Sequence, residues 1–176
     1  LDRNIELHPE HSDAYNARAL IKLTRFAGKC SDAYSDIVKA EKKGGDQETL
    51  LIGAAVYSTC GKTKEAIGRL RQLLEIIPND PGWFQTGFLV TLLYRTKQQE
   101  EIYKLIGKNI NAEDMDNRVL AIYAIFEFEK GNQEKAKSFF QKAMKKGFIK
   151  DRLTSKHHPE ISEKTLEILD KIEKLT

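Results

Sequence analysis

The apolar positions of this chain recur with a helical period, in paired segments separated by short polar turns. In the clearest pair, between residues 47 and 80, the first segment has one apolar face, formed by Leu50, Ala54 and Tyr57. The second segment has an apolar stripe formed by Ala66, Ile67, Leu70, Leu73 and Leu74. Gly61 suits the left-handed residue that ends the first helix, and Pro78 ends the second because its ring clashes with a continuing helix. The pattern predicts a helical hairpin.

The hairpin recurs along the chain, because small residues mark it at three places: Gly28 with Ala33, Gly61 with Ala66, and Gly131 with Ala136. The glycines lie 33 and then 70 residues apart, and 70 is twice 35, so the spacing indicates a repeat with a degraded copy between residues 83 and 110. That copy keeps its apolar stripes but replaces the small residues of the turn region with Arg95, Thr96, Glu100 and Glu101. A glycine inside a helix costs about 1 kcal/mol relative to alanine. We therefore expect a neighbouring helix to approach closely at Gly53.

The clearest copy resembles the tetratricopeptide repeat (TPR), whose pattern is Trp-x2-Leu-Gly-x2-Tyr, then Ala-x3-Phe, then Pro, over about 34 residues. The matching positions are Leu50, Gly53, Ala54, Tyr57, Ala66, Leu70 and Pro78. The fourth copy matches at Leu120, Tyr123, Ala124, Gly131, Ala136, Phe140 and Ala143. The first copy matches at Tyr15, Ala19, Gly28, Ala33, Ile37 and Ala40, but Gly44 and Gly45 replace its closing proline.

The resemblance implies an all-α fold, a right-handed superhelix of antiparallel helix hairpins (a TPR-like α-solenoid) with a C-terminal capping helix. We expect a single domain over residues 1–176, divided into four hairpins and a cap at 12–46, 47–80, 81–113, 114–147 and 148–176. Residues 1–9 repeat the layout of residues 70–78. We therefore expect them to be the end of a preceding repeat helix, in a fragment of a longer protein.

Stacked hairpins line an inner groove with their first helices, and such grooves bind protein segments. Positions displaced from the packing face predict a partner groove formed by Asn16, Leu20, Leu23, Leu51, Ala55, Ser58, Gln85, Leu89, Leu92, Ala121, Ile125 and Phe128. Its apolar character suits an amphipathic helix or the C-terminal segment of the chain itself. Internal packing is the alternative, above all for Leu20, Leu89 and Phe128. The family members that bind chaperone tails use Lys, Arg and Asn there, and only Asn16 fits that set, so we disfavour that role.

The charge pattern gives a second candidate surface. The net charge is only +3, but cations cluster near the end of the fourth copy, at Lys135, Lys142, Lys145, Lys146, Lys150 and Arg152. Such cations are typical of the solvated side of an amphipathic helix. The alternative interpretation is a basic patch that binds an acidic partner or nucleic acid.

Catalysis and cofactor binding are not indicated. The chain has no phosphate-binding, dinucleotide-binding, zinc-protease or nucleophile-elbow motif, and we assign no catalytic, cofactor or metal site. The pairs His8 with His11 and His157 with His158 fit solvent-facing loops better than metal ligands. Cys30 and Cys60 fit reduced thiols of a cytoplasmic protein, although the two could approach in space. No apolar run is long enough for a membrane helix.

These features predict a protein-interaction module and not an enzyme. The passage Asn79-Asp80-Pro81-x-Trp83 and the tail from Gly147 to Leu169 look like the C-terminal repeat domains of bacterial multidomain regulators, either winged-helix transcription activators or nucleotide cyclases. The partner is then a protein, a peptide or another domain of the same chain, and a homo-oligomer is compatible with these features. A basic module that contacts nucleic acid, or an accessory domain of a cyclase, is the alternative.

Overall fold

The computed structural model describes residues 2–25, 30–78, 80, 83–106 and 114–175. In this part of the chain there is no strand, which confirms the all-α prediction. The helices are α1 (Asp2–Leu7), α2 (Ser12–Arg25), α3 (Cys30–Lys42), α4 (Gln47–Thr59), α5 (Thr63–Ile76), α6 (Phe84–Arg95), α7 (Gln99–Ile106), α8 (Asn117–Glu129), α9 (Gln133–Lys145) and α10 (Pro159–Glu173). A 3-10 turn, Lys150–Leu153, lies before α10. None of the described helices is long and apolar enough to cross a membrane.

The helices form two compact units, Leu1–Asn79 and Asp80–Thr176. The first unit holds the hairpins α2/α3 and α4/α5, and the second holds α6/α7, α8/α9 and α10. The boundary between the units lies in the link between the second and third hairpins.

Small residues let the helices of the first unit pack closely. Ala33, Ala54 and Ala66 have no exposed surface. A Cβ atom added at Gly53 would lie 3.4 Å from Cγ2 of Ile37, a fully buried residue of the preceding hairpin. The expected close approach at Gly53 is therefore present, and it offsets the low helix propensity of glycine.

A buried carboxylate holds the first hairpin together. Both oxygens of Asp36 in α3 accept hydrogen bonds from Arg18 in α2, from Nε at 2.9 Å and from Nη2 at 2.7 Å. Lys22 Nζ donates to the same carboxylate at 2.8 Å. Burial alone would raise the pKa of Asp36, but these hydrogen bonds and the two positive charges outweigh it and keep the pKa below its ordinary value. Asp2 in α1 forms an ion pair with the same guanidinium, with its Oδ1 2.6 Å from Arg18 Nη1.

The turns between paired helices share one backbone geometry. Gly61 and Gly131 have φ values of +77° and +85°, as expected for glycines that end a helix, while Gly28 lies outside the described residues. The degraded third copy keeps the same turn without a glycine, because Lys97 adopts φ +59°. Gln98 N–H then donates to the carbonyl of Leu93 at 2.9 Å. The sequence analysis did not find this turn.

The structure also corrects the expectation for the two cysteines. Cys30 begins α3 and Cys60 follows α4, and they form a disulfide with their Cα atoms 5.4 Å apart. The residues are 30 positions apart in sequence, so no local pattern indicates the contact. The antiparallel packing of α3 on α4 brings the start of one helix to the end of the other.

Replacing Lys97 with glycine should stabilise the protein. A residue with a Cβ atom loses about 1–2 kcal/mol in the left-handed region, and part of that is offset because glycine is more flexible when unfolded. We expect K97G to raise the free energy of unfolding in urea by about 0.5 kcal/mol. The matched control is G131A, where nothing lies within 4 Å of an added Cβ and only the backbone penalty acts. G131A should lower the free energy of unfolding. A K97G variant that is less stable than the unmodified protein would contradict the account of the turn.

Replacing Asp36 with asparagine should destabilise the protein by about 3 kcal/mol near neutral pH, because it leaves Arg18 and Lys22 without their buried counter-ion. The folded-state pKa of Asp36 is lowered. The stabilisation is therefore complete above the unfolded pKa of about 3.9 and is lost as the pH falls through and below that value. Urea titrations of both proteins across this range measure the difference. D32N, on the exposed side of α3, is the control and should change stability by less than about 0.5 kcal/mol.

Candidate partner-binding surface

The first unit keeps an accessible apolar face. Helices α2 and α4 pack side by side, and they present the predicted groove residues Leu20, Leu23, Leu51, Ala55 and Ser58. Leu20 is 42% exposed and the other four are partly exposed. On α4, Ala54 and Tyr57 are buried against neighbouring helices. The adjacent stripe of Leu51, Ala55 and Ser58 remains partly exposed. We call these five residues the α2/α4 face.

Asn16 does not belong to this face, contrary to the sequence analysis. It is only 1% exposed, and its Nδ2 donates to Oγ1 of the buried Thr49 at 2.7 Å. Thr49 is itself fixed by the cap of α4, since its backbone N–H donates to Asp46 Oδ1 at 3.0 Å. Asn16 therefore joins α2 to α4 and is not available to a partner.

The second unit has no comparable open face at the predicted positions. Leu89, Leu92, Ala121 and Ile125 are each 0–1% exposed, so they are interior residues and do not line an accessible groove. Only Gln85 and Phe128 of the predicted set remain partly exposed in this unit. Internal packing, the alternative given in the sequence analysis, is what the structure shows for the four buried residues.

Helix α10 completes the burial of α8. Eight consecutive residues of α8, from Val119 to Phe126, are buried, and a helix buried on every side needs neighbours on every side. Its neighbours are α6, α9 and α10. The apolar side of α10 is buried in turn, at Ile168, Leu169 and Ile172. The C-terminal segment of the chain thus covers α8.

Polar contacts fix the first half of α10 at the ends of α6 and α8. Tyr94 OH at the end of α6 hydrogen-bonds Thr165 Oγ1 at 3.0 Å, and burial raises the pKa of Tyr94, so the hydroxyl stays protonated. Lys164 pairs with Glu129, the last residue of α8. Since Glu129 ends α8 and Lys164 lies in the first half of α10, the two helices run antiparallel.

The segment before α10 is fixed by Arg95. Its guanidinium donates to the carbonyl of Leu153 at 3.2 Å and to that of Arg152 at 2.9 Å. Burial and the charge of Arg118 lower the pKa of Arg95. The side chain nevertheless remains a cation, because an arginine is not deprotonated at ordinary pH. Three backbone carbonyls, including that of Thr154, therefore satisfy a guanidinium that no described carboxylate contacts.

The basic patch is smaller than the sequence suggested. Lys150 Nζ lies 2.5 Å from Asp170 and 2.6 Å from Glu173, both in α10. Burial would lower the pKa of Lys150, but the two carboxylates raise it above its ordinary value. Lys146 Nζ donates to the carbonyl of Met115 at 3.0 Å. Lys135, Lys142, Lys145, Lys146 and Arg152 are exposed, and Lys150 is partly buried.

Comparison with known proteins supports the fold. No protein-family model matches the chain, and no curated protein matches it. Among solved structures, the chain is similar to a tetratricopeptide repeat protein from Parabacteroides merdae, with a TM-score of 0.56 and 18% sequence identity. The match covers 94% of this chain and 60% of that protein, so this chain spans less than two thirds of its length. The fold is all-α and TPR-like.

Proposed function

We propose that this chain is a protein-interaction module of the TPR type and that its α2/α4 face binds an amphipathic helix of a partner. The observation that carries the proposal is the contrast between the two units. Four predicted groove residues of the second unit are buried, and the amphipathic helix α10 packs on α8 there, whereas five of the six predicted groove residues of the first unit are exposed or partly exposed. The chain thus contains an example of the kind of segment that such a surface accommodates.

The chemistry of the α2/α4 face defines the partner further. Its centre is aliphatic, with Leu20, Leu23 and Leu51, and Ser58 is its polar group. At the same helical spacing, α2 carries Asp13 two turns before Leu20 and α4 carries Glu48 one turn before Leu51, and both carboxylates are exposed. An aliphatic stripe that ends in lysine or arginine would complement this arrangement.

We further propose that the module is the regulatory or scaffolding part of a larger bacterial protein, such as a transcription regulator. The support is the resemblance of residues 79–83 and of the tail to such regulators, together with a TPR-like fold that serves binding more often than catalysis. Another domain of the same protein, or a second copy of the chain, can supply the partner helix.

A nucleic-acid role is less well supported. Lys146 and Lys150 are engaged within the chain, because Lys146 donates to the carbonyl of Met115 and Lys150 pairs with Asp170 and Glu173. The affinity of a phosphate-binding surface depends on how many phosphates it neutralises. With Lys146 and Lys150 engaged, the other four cations of the patch make a weak surface of that kind.

The cysteine pair bears on where the protein works. The sequence analysis expected a cytoplasmic protein with reduced thiols, but a Cys30–Cys60 disulfide is typical of an oxidising compartment. We propose that the module works where this bond persists. The α2/α4 face does not include either cysteine.

The binding proposal can be tested with a labelled synthetic peptide of residues 159–175, added to the full chain and followed by fluorescence anisotropy. The chain's own α10 is held on the second unit by its high effective concentration, so the added peptide samples the open face. We expect L20E and L51E each to weaken binding at least tenfold, because a carboxylate would be buried against apolar side chains. The matched control is I76E, which puts the same charge on a 52% exposed residue of α5. Equal losses in L51E and I76E, or no loss in L51E, would contradict the proposal.

The nucleic-acid alternative predicts a different result with a short DNA duplex. If the basic patch were the functional surface, affinity would fall linearly with salt on logarithmic axes, and K142E/K145E would reduce both the affinity and the slope. We expect only weak binding that disappears at physiological salt. Tight binding that K142E/K145E abolishes and L51E leaves unchanged would favour the alternative.

A further inference from the structure

The turn between α1 and α2 holds a cluster of potential metal ligands that the proposed function does not use. Its sequence is His8-Pro9-Glu10-His11. The His11 N–H donates to the carbonyl of His8 at 3.2 Å, which closes the turn. Tyr15 is 7% exposed, and its OH donates to the carbonyl of Pro9 at 3.4 Å. The buried tyrosine thereby anchors the turn to α2.

The closed turn brings three ligand atoms together. One carboxylate oxygen of Glu10, Oε1, lies 3.6 Å from His8 Nδ1 and 3.1 Å from His11 Nε2. The ligand atoms of the three residues all lie within 4.8 Å of one another. In a tetrahedral site with bonds of about 2.0–2.1 Å, neighbouring ligand atoms are about 3.3–3.4 Å apart. The two distances to the carboxylate are within about 0.3 Å of that spacing.

We propose that His8, Glu10 and His11 bind one divalent transition-metal ion, with Zn²⁺ as the representative. Two imidazole nitrogens and one carboxylate oxygen are ligands that Zn²⁺ accepts, and the set leaves a fourth position for water or for a ligand from a partner. Magnesium and calcium prefer all-oxygen sites, so the histidines select against them.

The surroundings allow an ion to enter. The side chains of His8, Glu10 and His11 are 54%, 61% and 62% exposed, so no packed residue has to move. The sequence places Glu10 between the two histidines, but only the closed turn brings its carboxylate close to both rings.

The test is isothermal titration of the full chain with Zn²⁺ alone, supported by the visible absorption of Co²⁺ in its place. The protein must carry no affinity tag, and reductant must be absent, because free thiols of Cys30 and Cys60 would compete for the ion. We expect one ion per chain, and at least a tenfold loss of affinity in H8A and in H11A. E10Q, which keeps the size of the side chain but removes its charge, should give a smaller loss.

The matched control is H157A/H158A, which removes the other pair of histidines and should leave binding unchanged. Circular dichroism of each variant checks that the helices persist. The proposal is overturned if the chain does not bind Zn²⁺, if H8A and H11A bind as well as the unmodified chain, or if H157A/H158A removes the binding. It does not depend on the α2/α4 face, so L51E should still bind the ion.

Discussion

The fold depends on covering the apolar sides of the helices that begin each hairpin. When two helices are joined by a tight turn, each buries one face against the other. The apolar surface that remains must be covered by a third element. In the second unit that element is α10, and α8 is consequently buried over eight successive residues. In the first unit α4 carries a buried stripe beside a partly exposed one, and we propose that a partner helix covers the exposed stripe.

The way in which α10 is held indicates a defined docking site and not a loose cap. Its apolar residues enter the packing, while Thr165 bonds the buried hydroxyl of Tyr94 and Lys164 pairs with the end of α8. The residues before it are held by Arg95 through backbone carbonyls, which do not depend on the side chains of that segment. Apolar burial supplies most of the free energy, and the polar contacts set position and direction. A partner helix on the α2/α4 face would likewise need apolar residues to supply the binding free energy and polar contacts to set its position and direction.

The hairpins could be predicted from sequence because their causes are local. A stripe of apolar residues, a left-handed glycine such as Gly61 and a closing proline such as Pro78 each act within a few residues. Lys97 shows the limit of this approach, because a lysine can occupy the left-handed position when the flanking helices impose the turn. The Cys30–Cys60 bond and the burial of Ile125 depend on residues far along the chain, so neither follows from spacing. For the same reason, the helical pattern gives the buried Asn16 and Ile125 the same predicted position as the exposed Leu20 and the partly exposed Leu51.

The contrast between the two units can be measured on the unmodified protein by hydroxyl-radical footprinting with residue-level mass spectrometry. Leucine side chains have the same intrinsic reactivity, so their oxidation rates report exposure directly. The account predicts rapid oxidation of Leu20 and Leu51 and protection of Leu89 and Leu92. Comparable oxidation of all four leucines would show that the second unit is as open as the first, and it would contradict the claim that the chain covers one face and leaves the other for a partner.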